Sequence, residues 1–412
     1  GGAPTQGRLA RPLVTCRRLV SMTFPDARAD ALDRLIMHDA SAHVAQPCSG
    51  DGDILVLDDR SAALTQWALA HVGPHSRVFV RTVSRAHALT VQEAAHEAVA
   101  KPGEAGRNRV LIAGLDGSEL DLESFLAAHG FSGRLALGRL PKSLAALEEN
   151  ARMLARHARR SGTEMIVVLG GATKHMTRSM NDALATGFTE VRGLLGKGKF
   201  RCLEASTPRE SVTVMPPRTT RWGGGTLTAF GGVFSGAKPD RGGEALADAA
   251  ASWFAARPQH AAPTARVLDL GCGNGMLSLA VCEAAARTGC ALTLAATDID
   301  LDAIRSTRAT LEPYRTQPGA TPTLTWDDAA AQHPDSSADL VLLNPPFHDG
   351  TRIDATLVEP LIEASYRILE PGGELLLVHN SHLRYRPLLK RRFAATREVS
   401  RDRTFTVLSA KK

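Results

Sequence analysis

The stretch RVLDLGCGNGMLSLAV, from Arg266 to Val281, decides the architecture. It opens as an apolar strand, breaks at glycines 271, 273 and 275, and continues with apolar residues at helical spacing. A strand apolar on consecutive positions is covered on both faces, and strand, glycine turn and helix together are the opening unit of a parallel sheet. The alternation continues downstream. ALTLAATD (291–298), LTWDD (324–328), DLVLLN (339–344) and ELLLVHN (374–380) read as strands, with helices at MLSLAVCEAAAR (276–287), LDAIRSTRATLE (301–312) and TLVEPLIEASYRIL (356–369). The second half is therefore an α/β domain with helices on both sheet faces.

The first half repeats this order more faintly. DILVLDDRSAALTQWALA (53–70) has the strand, turn and helix of the glycine segment, and LGRLPKSLAALEENARMLARHARRSGTEMIVVLGG (137–171) matches the later strand, helix and strand. Two parallels in one order indicate a duplicated, Rossmann-like domain. A length of 412 residues suits two such domains. Between them, residues 204–232 are rich in Pro, Gly and Thr without helical period. The expected division is a first domain over 1–215, a linker over 216–228 and a second domain over 229–412.

Composition excludes several classes. Hydrophobic content of 43% and charged content of 22% are those of an ordinary globular chain. The longest apolar runs, MIVVLG and ELLLVH, are strand-sized, so no membrane span is expected. The first twenty residues carry arginines where an export leader needs an apolar stretch, which points to the cytoplasm. Cys16, Cys48, Cys202, Cys272, Cys282 and Cys290 form no C-x-x-C pair, so neither a metal site nor a disulfide framework is expected. The net charge of +6 suits a polyanionic partner without deciding for one.

The spacing G-x-G-x-G differs from the dinucleotide fingerprint G-x-G-x-x-G, whose helix start faces a pyrophosphate. A ligand lacking phosphates still needs backbone without Cβ beside it. Asp269, just before Gly271, is placed to accept from an ammonium group, Asp298 from two ribose hydroxyls and Asp328 from an adenine amine. S-adenosylmethionine carries all three features. A nicotinamide site, or a glycine turn without ligand, fits the same residues less fully. Cys272 lies inside the turn and reads as a small spacer.

The run DLVLLNPPFHDG (339–350) ends a buried strand on two prolines, which fix a rigid extended turn where the strand emerges. An exocyclic base amine is a poor nucleophile because its lone pair is delocalised into the ring. If the Asn344 side-chain oxygen and the Pro345 carbonyl each accept one N–H, the nitrogen pyramidalises and its lone pair points at a methyl donor. Pro346 stiffens the turn, and Phe347 can stack on an extruded base. A proline-capped strand end without chemistry is the plain alternative.

The segments LDLGCGNG, NPPFHDG and, upstream, GGVFSGAKPDRG (231–242) resemble the ribosomal RNA guanine-N2 methyltransferases, the RsmC and RlmG group. The resemblance implies two tandem class I methyltransferase domains of which only the second is catalytic, S-adenosylmethionine as cofactor, and ribosomal RNA as partner. NSHLRYRPLLKRRF (380–393) and RLPKSLAALEENARML (139–154) are more similar to the large-subunit type than to the small-subunit type. Gly236 and Pro239 depart from the family's arginine and leucine, while Asp240 matches. A small-subunit or other RNA substrate, a protein glutamine, and a non-catalytic RNA-binding factor are the alternatives. A monomer is expected, as is donor binding by the second domain alone.

In the first domain the turn LVLDDRSAAL has no glycine, so a donor could not approach its backbone. Its expected use is RNA, through Lys197, Lys199 and Arg201 in GKGKFR and through the helix bearing Arg152, Arg156, Arg159 and Arg160. Lys390, Arg391 and Arg392 are further phosphate candidates in the second half. Each cluster could equally be a solvated charged face.

Overall fold

The computed structural model describes residues 29–44, 52–99, 109–118, 121–258, 261–316, 321–346 and 354–412. The first half contributes strands β1 (Ile54–Leu57), β2 (Val78–Arg81), β3 (Val110–Ile112), β4 (Leu135–Arg139), β5 (Ile166–Ala172), β6 (Phe188–Gly193) and β7 (Phe200–Pro208). A hairpin follows, β8 (Arg218–Trp222) and β9 (Gly225–Ala229). The second half contributes β10 (Thr264–Leu270), β11 (Ala291–Asp298), β12 (Thr323–Trp326), β13 (Ala338–Leu343), β14 (Leu369–Asn380), β15 (Ala395–Arg401) and β16 (Phe405–Lys411).

Each half forms one seven-stranded sheet, ordered β3-β2-β1-β4-β5-β7-β6 and β12-β11-β10-β13-β14-β16-β15. The orders are identical, as duplication requires. Within each, the first five strands are parallel, and the sixth, β7 or β16, pairs antiparallel with both of its neighbours. The wholly parallel reading thus misses an antiparallel edge. Segments such as ATREVSR (395–401) are exposed except at half-buried Thr396 and Val399 and carry none of the apolar density of the central strands. Helices cover both faces of each sheet and close two separate cores per half.

Residues 216–228, read as a linker, carry most of the β8–β9 hairpin, which is fastened to the second half. The Thr228 amide donates to Thr310 Oγ1 at 2.9 Å, and the Phe230 amide to Ser306 Oγ at 2.9 Å. Both acceptors lie on the helix Leu301–Thr310.

The halves meet through equivalent loops, each directly after the second strand of its fold. Arg85 N donates to Ile299 O at 2.9 Å and Leu301 N donates to Val83 O at 2.8 Å, flanking a bridge between Ser84 and Asp300. A small core is shared across this contact: Ala88 from the first half with Cys272, Ala296, Leu301, Ile304 and Trp326 from the second. Beside it lies a buried charge network. Asp302 pairs with Arg81 at 3.1 Å and Arg305 at 2.9 Å, and Arg305 pairs with Glu149, none of the four more than 9% exposed. Burial would raise the Asp302 carboxyl, but Arg81 and Arg305 hold it below the usual range.

Candidate active site

Strands β10 and β13 are neighbours, and Leu270 pairs in register with Leu343. The glycine turn and Asn344 therefore leave the sheet side by side at the carboxyl ends of the strands, where open α/β sheets bind ligands.

Gly271, Gly273 and Gly275 all adopt left-handed backbone, with φ of +83°, +53° and +84°. Their surroundings differ. Among the described residues a Cβ on Gly271 or Gly273 would meet nothing within 4 Å, whereas one on Gly275 would lie 3.1 Å from Thr307 Cα. The first two glycines thus border open space, and the third serves helix packing.

Asp269 is fully buried. Its Oδ2 accepts from Ser278 Oγ at 2.6 Å, while Oδ1 has no partner among the described residues. Burial pushes the carboxyl up to about 7, against the Ser278 hydrogen bond and with a further push from Asp298. Asp298, at the end of β11, accepts from the Gly273 and Asp300 amides, each at 2.9 Å, and burial raises its carboxyl. Past β12 the two neighbouring aspartates divide. Asp327 is buried and accepts from the amides of Asp328 and Gln332, whereas Asp328 is exposed. Cys272 is buried against Thr307, and burial holds its thiol well above the usual range, which suits a spacer and not a nucleophile.

An unpartnered buried carboxylate oxygen beside a glycine cradle fits a ligand with an ammonium group, as S-adenosylmethionine has. At the neighbouring strand end, Pro345 is buried and Asn344 half-buried. Asn344 Nδ2 donates to Asp240 Oδ2 at 3.0 Å, and Asn344 Oδ1 is buried without a partner among the described residues. Phe347 lies outside the described residues. Asp240 matches the family's pattern in sequence, but its contact with Asn344 is not visible there. It caps the helix Arg241–Ala255, a local signal visible in sequence, but its contact with Asn344 spans 104 residues.

The first half retains a relic of the same turn. Asp58 and Ala62 keep left-handed φ of 53° and 65° at the positions matching Gly271 and Gly275. The carboxylates turn inward: Asp58 Oδ1 accepts from the Val83 amide at 3.0 Å, and Asp59 Oδ2 from the Thr65 amide and hydroxyl at 2.8 and 2.7 Å. Side chains thus occupy a turn that glycine leaves open in the second half.

Among the basic residues, Lys197, Lys199 and Arg201 are exposed on the turn joining β6 to β7, with Lys199 over the Phe200 ring and Arg201 Nε donating to Leu194 O. The arginines of the helix Leu144–Ser161 are spent internally. Arg152 pairs with Glu148, Arg156 and Arg160 with Glu123, and Arg159 donates to the Arg209 carbonyl. Phosphate contact by these arginines would have to compete with those partners. Lys390 is exposed, but Arg391 and Arg392 pair with Glu359 and Glu363 of the helix Ala355–Ile368, each at 3.1 Å. Among the described residues no cluster of His, Cys, Asp or Glu is arranged to hold a metal, and no helix is long and apolar enough to cross a membrane.

The duplicated sheets, the glycine cradle and its unpartnered aspartate define an S-adenosylmethionine-dependent methyltransferase of class I, its first domain degenerate. Comparison with known proteins agrees. Residues 224–409 match the family model of the methyltransferase small domain, and residues 26–209 that of the RLMG N-terminal domain. The chain is 29% identical over 406 residues to the ribosomal RNA large subunit methyltransferase G of Streptomyces avermitilis, covering 94% of this chain and 96% of that one. It is 32% identical over 285 residues to the protein of that name from Streptomyces coelicolor, covering 67% and 71%. The same fold occurs in a T. thermophilus 16S rRNA N2 methyltransferase (RsmC) described in complex with AdoMet and guanosine, with a TM-score of 0.65 at 20% identity over 94% and 93% of the chains. The chain belongs to the ribosomal RNA large subunit methyltransferase G family.

Proposed function

We propose that this chain methylates the exocyclic N2 amine of a guanine in large-subunit ribosomal RNA. The observation that carries the reading is the register of Leu270 with Leu343, which sets a buried, unpartnered Asn344 oxygen beside the glycine cradle. S-adenosylmethionine, when bound, supplies an electrophilic methyl on a sulfonium. Asp269 would accept from its ammonium group, Asp298 from its ribose and Asp328 from its adenine amine, with Gly271, Gly273 and Gly275 shaping the space.

Asn344 Oδ1 and the Pro345 carbonyl each accept one N–H of the guanine amine, so its lone pair turns from the ring toward the methyl carbon. Asn344 and Pro345 would thereby hold the amine nitrogen aimed at the methyl that S-adenosylmethionine would supply. The amine then releases one proton to solvent. Pro345 and Pro346 keep the acceptors aimed, and positioning of this kind is worth up to about 7–11 kcal/mol of barrier. Phe347 is the proposed stacking partner of the base.

Residues 1–215 form the RNA-binding domain in this reading, 216–228 the connection and 229–412 the catalytic domain. Lys197, Lys199 and Arg201 contact phosphates, as does Lys390 in the second half, and Arg391 and Arg392 do so only by releasing their carboxylates. The chain acts as a monomer in the cytoplasm, where ribosomal RNA is found. The test is transfer of labelled methyl from S-adenosylmethionine to purified ribosomal RNA, followed by nucleoside analysis. N2-methylguanosine in large-subunit RNA is the expected product. Label in another base, in small-subunit RNA only, or in a protein glutamine would refute the reading.

A further inference from the structure

The outline of an asparagine amide is nearly unchanged by a half-turn about its Cβ–Cγ bond, yet its chemistry reverses. One orientation presents an acceptor oxygen and the other an NH2 donor. An amine nucleophile needs the oxygen, because an NH2 group would oppose its N–H bonds. Asn344 alone does not decide between them.

Asp240 does. It is the N-cap of the helix Arg241–Ala255, its Oδ2 accepting from the Gly243 amide at 2.8 Å. The same oxygen accepts from Asn344 Nδ2 at 3.0 Å. An ionised carboxylate has only acceptors, so the NH2 end is the only end of Asn344 that can face it. The orientation follows from the partner's chemistry, and it leaves Asn344 Oδ1 buried and unpartnered.

We propose that Asp240 is a positioning residue for the methyl acceptor: its carboxylate locks the Asn344 amide with the oxygen toward the guanine amine. This rests on the reading of Asn344 as acceptor given above. The flipped amide would set its oxygen against the Asp240 carboxylate, so the lock discriminates as well as holds. Because Asp240 is also a helix cap, the helix start and the amide are fixed by one oxygen atom. Asn274 steadies the same loop, donating to the carbonyls of Gly236 at 2.9 Å and Lys238 at 3.2 Å.

Two substitutions separate the lock from the cap. Serine is as good an N-cap as aspartate, but its hydroxyl is one bond shorter and falls short of Asn344. Asparagine keeps an oxygen able to accept from both partners. Single-turnover methyl transfer by the full chain, at saturating S-adenosylmethionine and ribosomal RNA, should fall roughly 10- to 100-fold in Asp240→Ser. Donor and RNA dissociation constants and the unfolding midpoint should stay at wild-type values, and Asp240→Asn should recover most of the rate. A wild-type rate in Asp240→Ser would overturn the proposal. So would a loss of donor affinity or stability that tracks the loss of rate, or an Asp240→Asn variant as slow as the serine. A wild-type chain forming no N2-methylguanosine in this assay would instead defeat the functional reading beneath it.

Discussion

Ser84 of the first domain and Asp300 of the second face each other as an antiparallel bridge, each just past the second strand of its own fold. Two residues before Asp300 stands Asp298, the proposed ribose ligand. The degenerate domain therefore holds the loop that carries Asp298, although every proposed donor ligand lies in the second domain. A fragment of residues 216–412 would expose Leu301, Ile304 and Trp326 and leave Asp302 without Arg81. By calorimetry it should bind S-adenosylmethionine more weakly than the full chain. Equal affinity would show that the bridge does not shape the site.

Within the full chain, Arg81→Ala should be strongly destabilising. It leaves Asp302 with one of its two buried cationic partners, and removing one member of a buried ion pair costs about 3–5 kcal/mol. Urea unfolding measures this directly. A cost under about 1 kcal/mol would mean that the network is solvated and adds little.

The three glycines should fail differently. Gly275→Ala forces a Cβ to 3.1 Å from Thr307 Cα in left-handed backbone, so stability should fall by about 2–3 kcal/mol. Gly273→Ala pays only the backbone strain of about 1–2 kcal/mol, since its Cβ meets no atom of the described residues, but that methyl enters the cradle. Its main effect should be on donor affinity. If the two variants lose stability and affinity in the same proportion, the division of roles is wrong.

Donor affinity should depend on pH through Asp269. Its carboxyl is raised to about 7 in the donor-free protein, and only the ionised form attracts an ammonium. Below pH 7 binding must first remove the proton, so affinity should weaken about tenfold per pH unit; above it, Asp269 adds no dependence. Asp269→Asn should flatten the profile and bind weakly throughout. Unchanged wild-type affinity between pH 5.5 and 7 would exclude this pairing.

Neutralising Lys197, Lys199 and Arg201 together should weaken binding to RNA of any sequence. The log–log salt slope should become shallower by about 0.7 to 0.9 for each phosphate that no longer meets a cation. The modified base should not change. An unaltered slope would move the RNA surface elsewhere on the chain.

What the sequence disclosed follows the reach of each interaction. The apolar strands, the helix at Met276–Thr288 and the glycine turn are local, so their spacing alone revealed them. Asn344 was legible because a strand ending on two prolines is locally unusual. Its orientation was not, since Asp240 meets it only after the helix of one segment packs against the sheet of another. For the same reason Arg152, Arg156 and Arg160 read as free cations until folding brought Glu123 to two of them and the neighbouring helical turn brought Glu148 to the third. The relic turn shows the converse: Asp58 and Ala62 keep glycine-like backbone where no glycine remains to advertise it.

Methylation of one guanine N2 in large-subunit ribosomal RNA, with the Asn344 oxygen accepting from the amine, has a direct readout in cells. Mapping N2-methylguanosine across ribosomal RNA from cells with the gene, without it, and with Asn344→Ala in its place tests it most directly. One large-subunit position should lose its methyl on deletion, regain it with the wild-type chain and not with the variant, while the purified variant binds S-adenosylmethionine as wild type does. An unchanged map on deletion, or full modification by the Asn344→Ala chain, would contradict the account.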